Sequence, residues 1–300
     1  MRALAVVAAG PLTTIQDLGR PGYAHLGVPR SGAADRGALR LANRLVGNPE
    51  GLAAIEATVG GVTLRAEGPV VVALTGAPAQ LHVDDRPVGP GATVRVRAGQ
   101  VLRLDPPSSG VRSYLAVRGG LAVDPVLGSR ATDTLSGLGP APLWEGDVLR
   151  VGDGALAWPA VQSAVVRRPD EGVVVLLADD GPRADRLVDP DALFTGSWRV
   201  NPVGNRVGIR LDRLDGPPLE LVAGQGELPS EGIAHGSIQV PPSGQPVVFG
   251  PDHPVTGGYP VVAVLADESL DRAGQLAPGA AVRIRRPAAF EPDVAALTHR

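Results

Sequence analysis

Apolar positions along this chain come in short runs, and most runs end at a glycine or proline. Val- and Leu-rich runs of this kind read as strands joined by tight turns. The run Ala3–Ala8 reads as a buried first strand rather than the apolar part of a secretory leader, since one arginine alone precedes it. Further strands are expected at 54–64, 70–75, 80–83, 92–104, 111–117 and 143–151, then at 173–178, 205–211, 261–265 and 275–286. In the 205–211 strand, alternation puts Val207, Ile209 and Leu211 on one face and Arg206, Gly208 and Arg210 on the other. That polar face is either a cleft wall or a solvated surface. Helical spacing stands out at 35–46: Leu39, Ala42, Leu45 and Val46 share one stripe, Arg36, Arg40 and Arg44 another, and Gly47 stands at the stop position. Asn48-Pro49-Glu50 and Asp189-Pro190-Asp191 carry the signals of two shorter helix starts. The expected fold is mainly β with a few short helices.

A turn-plus-strand phrase recurs at 88–96, 143–151 and 276–284. It suggests two related β lobes, the alternative being that hairpin turns resemble one another. The expected division is a first lobe at 1–155, a second at 156–287 and a tail at 288–300, with the join at 152–170 around Trp158-Pro159.

Composition narrows the chemistry. The 300 residues are 44% hydrophobic and 20% charged with a net charge of −3, a balance that makes no case for nucleic acid. Gly 40 and Pro 30 fit a turn-rich β protein. There is no cysteine, which excludes thiol nucleophiles, Cys-ligated zinc and disulfides. There is also no lysine, which excludes a P-loop, a Schiff base and covalent biotin on this chain. The five histidines are scattered and none forms a metal pair at i, i+4, so no metal ligands are assigned. No apolar run reaches the roughly 18 residues that span a membrane, and a cytoplasmic protein is expected.

Polar chemistry gathers in 224–260, where Glu227, Glu231, His235, Gln239, Asp252 and His253 sit among glycines and prolines. Backbone this rich in Gly and Pro bends sharply and admits a ligand closely, so a binding cleft is expected rather than ornate surface loops. The segment 13–36 carries Asp17, Arg20, Arg30 and Asp35, and Gly128-Ser129-Arg130-Ala131-Thr132-Asp133 repeats its Gly, Arg and Asp theme. The plain reading of these charges is surface ion pairs, worth about 0–1 kcal/mol each. Glu56 lies in a strand between Ile55 and Ala57, facing either solvent or a pocket.

Five motifs in order carry a family resemblance: Gln16-Asp17-Leu18-Gly19-Arg20-Pro21-Gly22; Ala42-Asn43-Arg44-Leu45-Val46-Gly47-Asn48; Gly128-Ser129-Arg130-Ala131-Thr132-Asp133; Asn205-Arg206-Val207-Gly208-Ile209-Arg210; and Ser230-Glu231-Gly232 through Gln239-Val240-Pro241-Pro242 to Thr256-Gly257-Gly258-Tyr259-Pro260. The chain resembles the allophanate hydrolase subunit 2, or biotin-dependent carboxyltransferase domain, family. The resemblance implies two cyclophilin-like β-barrel lobes. It also implies a partner, the related barrel protein that forms the B component of such complexes. In the 5-oxoprolinase members a third protein, the A component, completes ring opening of 5-oxoproline to glutamate at the expense of ATP. ATP, with Mg2+, is then expected at the level of the complex. The alternatives are a carboxyltransferase component that uses a separate biotinylated protein, and a non-catalytic regulator of the kinase-inhibitor-antagonist type.

Both enzymatic readings need donors for a developing oxyanion and a group that takes a proton. Matched to the motifs, the candidate catalytic residues are Asp17, Arg20, Arg130, Asp133 and Glu231, and the candidate substrate-binding residues are Arg30, Asp35, Asn205, Arg206, Gln239 and Tyr259. The sequence departs from the family pattern at Val261, where many relatives have a lysine, and at Gly250-Pro251-Asp252-His253-Pro254. His235 is read as a hydrogen-bonded structural histidine.

Overall fold

The computed structural model describes residues 2–166, 172–224 and 226–287. The expected tail at 288–300 and the last residues of the expected join, 167–170, lie outside the described residues. The described chain is mainly β, as its patterning indicates, with three helices: α1 at Arg36–Leu45, α2 at Ala192–Thr195 and α3 at Asp267–Ala273.

Residues 3–150 build two sheets. One has six strands in the order Val148–Arg150, Ala3–Ala8, Thr63–Ala66, Val101–Leu104, Leu81–Val83, Arg86–Val88. The other has five, in the order Leu12–Gln16, Ala54–Thr58, Arg112–Val117, Val70–Gly76, Thr93–Val96. Leu4, Val6, Leu64 and Leu102 of the first sheet and Ile15, Ile55, Val72, Leu74 and Leu115 of the second form one core cluster. Helix α1 covers the opposite face of the five-stranded sheet, where Leu39, Ala42, Leu45 and Val46 pack on Ala54, Ala73, Tyr114 and Ala116. Its apolar stripe is the one read from the sequence. Asp35 caps it by accepting a hydrogen bond from Ala38 N at 2.8 Å. Because the sheet is buried on both sides, Arg112–Val117 is buried at every position and shows no alternation.

The second part of the chain closes into a seven-stranded barrel: Val173–Asp180, Val261–Leu265, Ser237–Gln239, Val247–Phe249, Gly208–Arg213, Trp198–Gly204 and Ala281–Arg285. Its core holds Leu176, Trp198, Leu211, Ile238, Val248, Val262 and Ile284. Trp198 is fully buried and its Nε1 donates to Leu193 O at 3.0 Å, which satisfies the indole N–H.

Three local readings are corrected. No helix forms after Asn48. Its amide instead donates to Asn43 Oδ1 and Val117 O and accepts from Gly119 N, tying the end of α1 to the sheet. The expected strand at 54–64 is two strands, because Val59, Gly60 and Gly61 all take positive φ and turn the chain between sheets. Arg206 lies ahead of the strand Gly208–Arg213 rather than on its polar face, and it is buried while Arg210 is exposed. Strand Arg86–Val88 and helix α3 had no strong signal, being a short exposed edge with a proline and a charged helix with no side-chain cap.

Candidate functional site

Two loops of the sheet region, 17–35 and 128–136, meet two loops of the barrel, 205–207 and 250–253. The approach depends on glycine. Gly19 and Gly32 have φ of +80° and +89°, and a Cβ on Gly32 would lie 2.6 Å from Gly19 N. Ser31 beside them takes φ 54°, and its N–H donates to Pro251 O at 3.1 Å. This places a left-handed, non-glycine residue at the contact between loops.

Asp17 and Arg20 are buried and do not pair with each other. Asp17 accepts from Ser129 Oγ at 2.6 Å, Arg130 N at 2.6 Å and Gly19 N at 2.7 Å. Arg20 is 1% exposed and donates to Ala131 O and Val126 O, while its Nη1 is buried without a hydrogen-bond partner. Arg130 donates through Nε to Val123 O. Asp133 closes its own turn, accepting from Leu135 N, Ser136 N and Ser136 Oγ. The surface-pair reading of these four charges is therefore corrected: Asp17 and Arg20 tie the 17–35 loop to residues 126–131, while Arg130 and Asp133 bind groups of their own segment.

Arg206 is 1% exposed and sits between two buried carboxylates. It donates through Nε and Nη2 to Asp252 at 2.8 and 3.0 Å, through Nη2 to Gly32 O at 2.6 Å, and through Nη1 to Glu56. Glu56 is fully buried, which resolves its orientation, and it also accepts from Tyr114 Oη at 2.7 Å and Ala34 N at 3.2 Å. Asp252 accepts in addition from Ser31 Oγ at 2.6 Å and Thr134 Oγ1 at 2.7 Å. Burial opposes charge on Arg206 and on Asp252, but the opposite charges outweigh it. Arg206 is held more strongly protonated, and Asp252 stays below the usual carboxylate range. Burial and the adjacent Glu56 push the Tyr114 phenol well up, so it stays a donor.

Beside this seam lies a face of mixed chemistry. His253 follows Asp252, and its ring stacks on His235 with centroids 6.3 Å apart. His253 Nδ1 lies 2.8 Å from Pro254 O, so Nδ1 carries the proton and the neutral ring keeps its lone pair on Nε2. Arg36 Nη2 lies 3.4 Å from His235 Nδ1, which makes that nitrogen the acceptor and leaves Nε2–H as a donor. Burial, then the charges of Arg36, His253, Arg206 and Arg30, lower the His235 pKa to about 3. Burial also lowers His253, against the opposing influence of Pro254 O and Asp252. Both imidazoles are thus neutral near pH 7.

The other sequence candidates fall as follows. Arg30 is exposed and donates through Nε to Leu18 O at 3.2 Å, close to the histidine face. Asp35 accepts from Gln275 Nε2 at 2.8 Å, and burial raises its pKa to about 6. Glu231 sits on a two-stranded ribbon with Thr256–Gly257 and is paired with Arg183, whose hydrogen bonds lower its pKa. Gln239 donates to Tyr259 O at 2.8 Å, and the Tyr259 side chain is 52% exposed. Asn205 is exposed and closes a turn by accepting from Val207 N at 2.8 Å. Val261 is 5% exposed, opposite Gln239 in the barrel. The fold thus gathers Asp17, Arg20, Arg130, Asp133 and Arg206 at the seam. It leaves Glu231 on the ribbon, Gln239 on a barrel strand bonded to Tyr259 O, and Asn205 on a turn. The charge partners Glu56, Ser31, Thr134 and Asp252 and the pairing of His253 with His235 were not assigned from sequence. Among the described residues no cluster of three or more His, Asp or Glu is placed to hold a metal ion. Among them, too, no helix is long and apolar enough to cross a membrane.

Comparison with known proteins agrees with the motif pattern. The chain is 38% identical over 282 residues to the C subunit of 5-oxoprolinase from Escherichia coli (strain K12), covering 91% of this chain and 87% of that one. It is 31% identical to a urea amidolyase of Lachancea kluyveri, covering 94% of this chain but 17% of that protein. The crystal structure of TTHA0988 superposes with a TM-score of 0.84 at 36% identity, covering 95% of this chain and 56% of that chain. Residues 26–286 match the family described as carboxyltransferase domain, subdomain A and B. With that match spanning most of its length, the chain belongs to the carboxyltransferase domain, subdomain A and B, family.

Proposed function

We propose that this chain is the C component of a cytoplasmic, ATP-dependent 5-oxoprolinase. It acts with a related barrel protein, the B component, and a ring-opening protein, the A component. The observation that carries the reading is the near full-length similarity to the C subunit of 5-oxoprolinase, reciprocal in coverage, whereas the chain matches a small fraction of the urea amidolyase. The overall reaction consumes 5-oxoproline, ATP and two waters and gives L-glutamate, ADP and phosphate.

A lactam is a poor electrophile and a poor nucleophile. Removing its N–H proton makes the carbonyl oxygen nucleophilic enough to take the γ-phosphoryl group, with ADP as leaving group. His253 Nε2 is the proton acceptor in this reading, because its lone pair is fixed there by the bond from Nδ1 to Pro254 O. The His235 Nε2–H then faces the oxygen on which charge develops. Mg2+ would enter with the ATP phosphates. The seam around Arg206 holds His253 in place through its neighbour Asp252.

The test is ATP hydrolysis by the purified chain with its partner proteins, with and without 5-oxoproline. Stimulation by 5-oxoproline supports the reading. A stable complex without stimulation overturns it and moves the weight to carboxyl transfer, which a dependence on a biotinylated protein would reveal.

A further inference from the structure

The histidine face carries more positive charge than its neighbours neutralise. Among the described residues, neither Arg30 nor Arg36 has a carboxylate within ion-pair distance, although most other arginines of the seam are tied to acids or carbonyls. Arg36 reaches His235 Nδ1 at 3.4 Å, and Arg30 spends one donor, Nε, on Leu18 O. The forks of both guanidiniums are otherwise uncommitted. Burial, followed by the charges of Arg36 and Arg40, makes Arg30 easier to deprotonate than usual, and Asp267 offsets this in part. His235 feels Arg36 and Arg30 in the same direction. Like charges held together at a fixed site cost free energy that a bound anion would recover.

We propose that Arg30 and Arg36 form a monoanion site that holds the carboxylate of a cyclic amino acid while its lactam faces His253. The identity of the substrate rests on the 5-oxoprolinase reading. A guanidinium fork matches a carboxylate through two parallel N–H···O bonds. The surroundings favour one negative charge over several. The first N–H groups of α1, those of Arg36 and Gly37, are already bound to Asp271 at 2.8 and 3.0 Å, and Asp35 caps the same turn. Those carboxylates, together with Asp267, would repel a polyphosphate and leave room for a monoanion.

The experiment compares the reconstituted complex of the wild type with those of Arg30→Gln and Arg36→Gln. It measures KM for 5-oxoproline, KM for ATP, and the preference for 5-oxoproline over 2-pyrrolidinone, the same lactam without the carboxylate. Each substitution is expected to raise the 5-oxoproline KM by about tenfold or more and to erode the preference by a similar factor, with the ATP KM within about twofold of wild type. An unchanged 5-oxoproline KM, or a rise confined to the ATP KM, overturns the proposal. Arg30 is exposed, so Arg30→Gln keeps the test valid if Arg36→Gln fails to fold. A second arm titrates the full-length chain with sodium 5-oxoproline and with 2-pyrrolidinone while recording the ring nitrogen signals of His235. A saturable shift with the carboxylate alone, lost in Arg30→Gln, supports the site even if the complex proves to have no 5-oxoproline-dependent ATP hydrolysis. No shift in the wild type counts against it whatever the complex does.

Discussion

Glu56 and Arg206, 150 positions apart, form an ion pair that is almost wholly withdrawn from water, with exposures of 0% and 1%. The pair joins the five-stranded sheet to the barrel. Arg206 also holds Asp252, and Glu56 has a second cation in Arg112, whose Nε lies 3.6 Å from it. Such pairs add little net stability over an apolar replacement, yet breaking one from a single side is costly. Arg206→Met is therefore expected to lower unfolding free energy by about 3–5 kcal/mol, because it strands Asp252 and leaves Glu56 with Arg112 alone. Glu56→Gln keeps the Asp252 pair and should cost clearly less. Urea unfolding of the two variants measures the difference. A loss below about 1 kcal/mol for Arg206→Met would mean that water or rearrangement relieves the stranded acids.

Gly32 and Gly19 make a separate prediction about backbone. At Gly32 an added methyl meets both an unfavourable φ of +89° and the Gly19 backbone at 2.6 Å. At Gly27 the φ is +79°, but nothing lies within 4 Å of the added Cβ. Gly27→Ala should cost about 1–2 kcal/mol, the left-handed penalty alone. Gly32→Ala should exceed that by at least about 1 kcal/mol, since backbone cannot move aside as a side chain can. Equal midpoints in urea for the two variants would falsify the claim that the 17–35 loop closes on itself through Gly32.

The sequence made legible what depends on local order. The strand Ala3–Ala8 and helix α1 were readable because each is specified by its own residues. In the Gly/Pro-rich stretch, Asp252 and His253 were visible as polar side chains among turn-forming residues. What could not be read is set by distant partners. Glu56 sits in a strand buried on both faces, so alternation carries no information about its direction. The pairing of His235 with His253 follows from a short backbone bond between Ile233 and Val255, which no local pattern encodes. The burial of Asp17 and Arg20 likewise depends on a loop more than a hundred residues away, through Ser129 and Ala131.

His235 and Asp35 should impose opposite pH dependences on stability in one window. His235 titrates at about 3 in the fold against 6.5 in the unfolded chain. The unfolded state therefore takes up the proton first, and the stability His235 contributes above pH 6.5 is lost as pH falls toward 3. Asp35 titrates at about 6 in the fold against 3.8 unfolded. Here the folded state binds the proton first, and stability is lost as pH rises from about 4 through 6. Each effect reaches at most about 1.4 kcal/mol per pH unit. Between pH 4 and 6 they largely cancel, so these two groups leave a shallow profile in the wild type. His235→Gln should make stability fall as pH rises across that window, and Asp35→Asn should make it climb. Unfolding midpoints at half-unit pH steps read both slopes, and parallel profiles for the two variants would rule the assignment out.

The competition between Glu231 and His253 for the proton-accepting role can be decided by rate. Glu231 matches a family motif, but Arg183 binds it through both carboxylate oxygens and lowers its pKa. A carboxylate stabilised in that way is a weak base, and taking up a proton would cost it its partner. His253 presents a neutral ring whose Nδ1 is already committed to Pro254 O. His253→Asn can still donate to that carbonyl from the amide, so it removes the Nε2 lone pair with little change to the loop. It is expected to lower kcat for 5-oxoproline-dependent ATP hydrolysis by about 10²–10⁴ with KM nearly unchanged. Glu231→Gln should leave kcat within about threefold and shift stability by under about 1 kcal/mol, as for an exposed pair. A pre-steady-state measurement of ADP release separates chemistry from product release in both variants. If Glu231→Gln abolished the chemical step while His253→Asn retained it, the proton would pass through the ribbon beside Tyr259 instead, and the histidine face would keep only its anion-binding role.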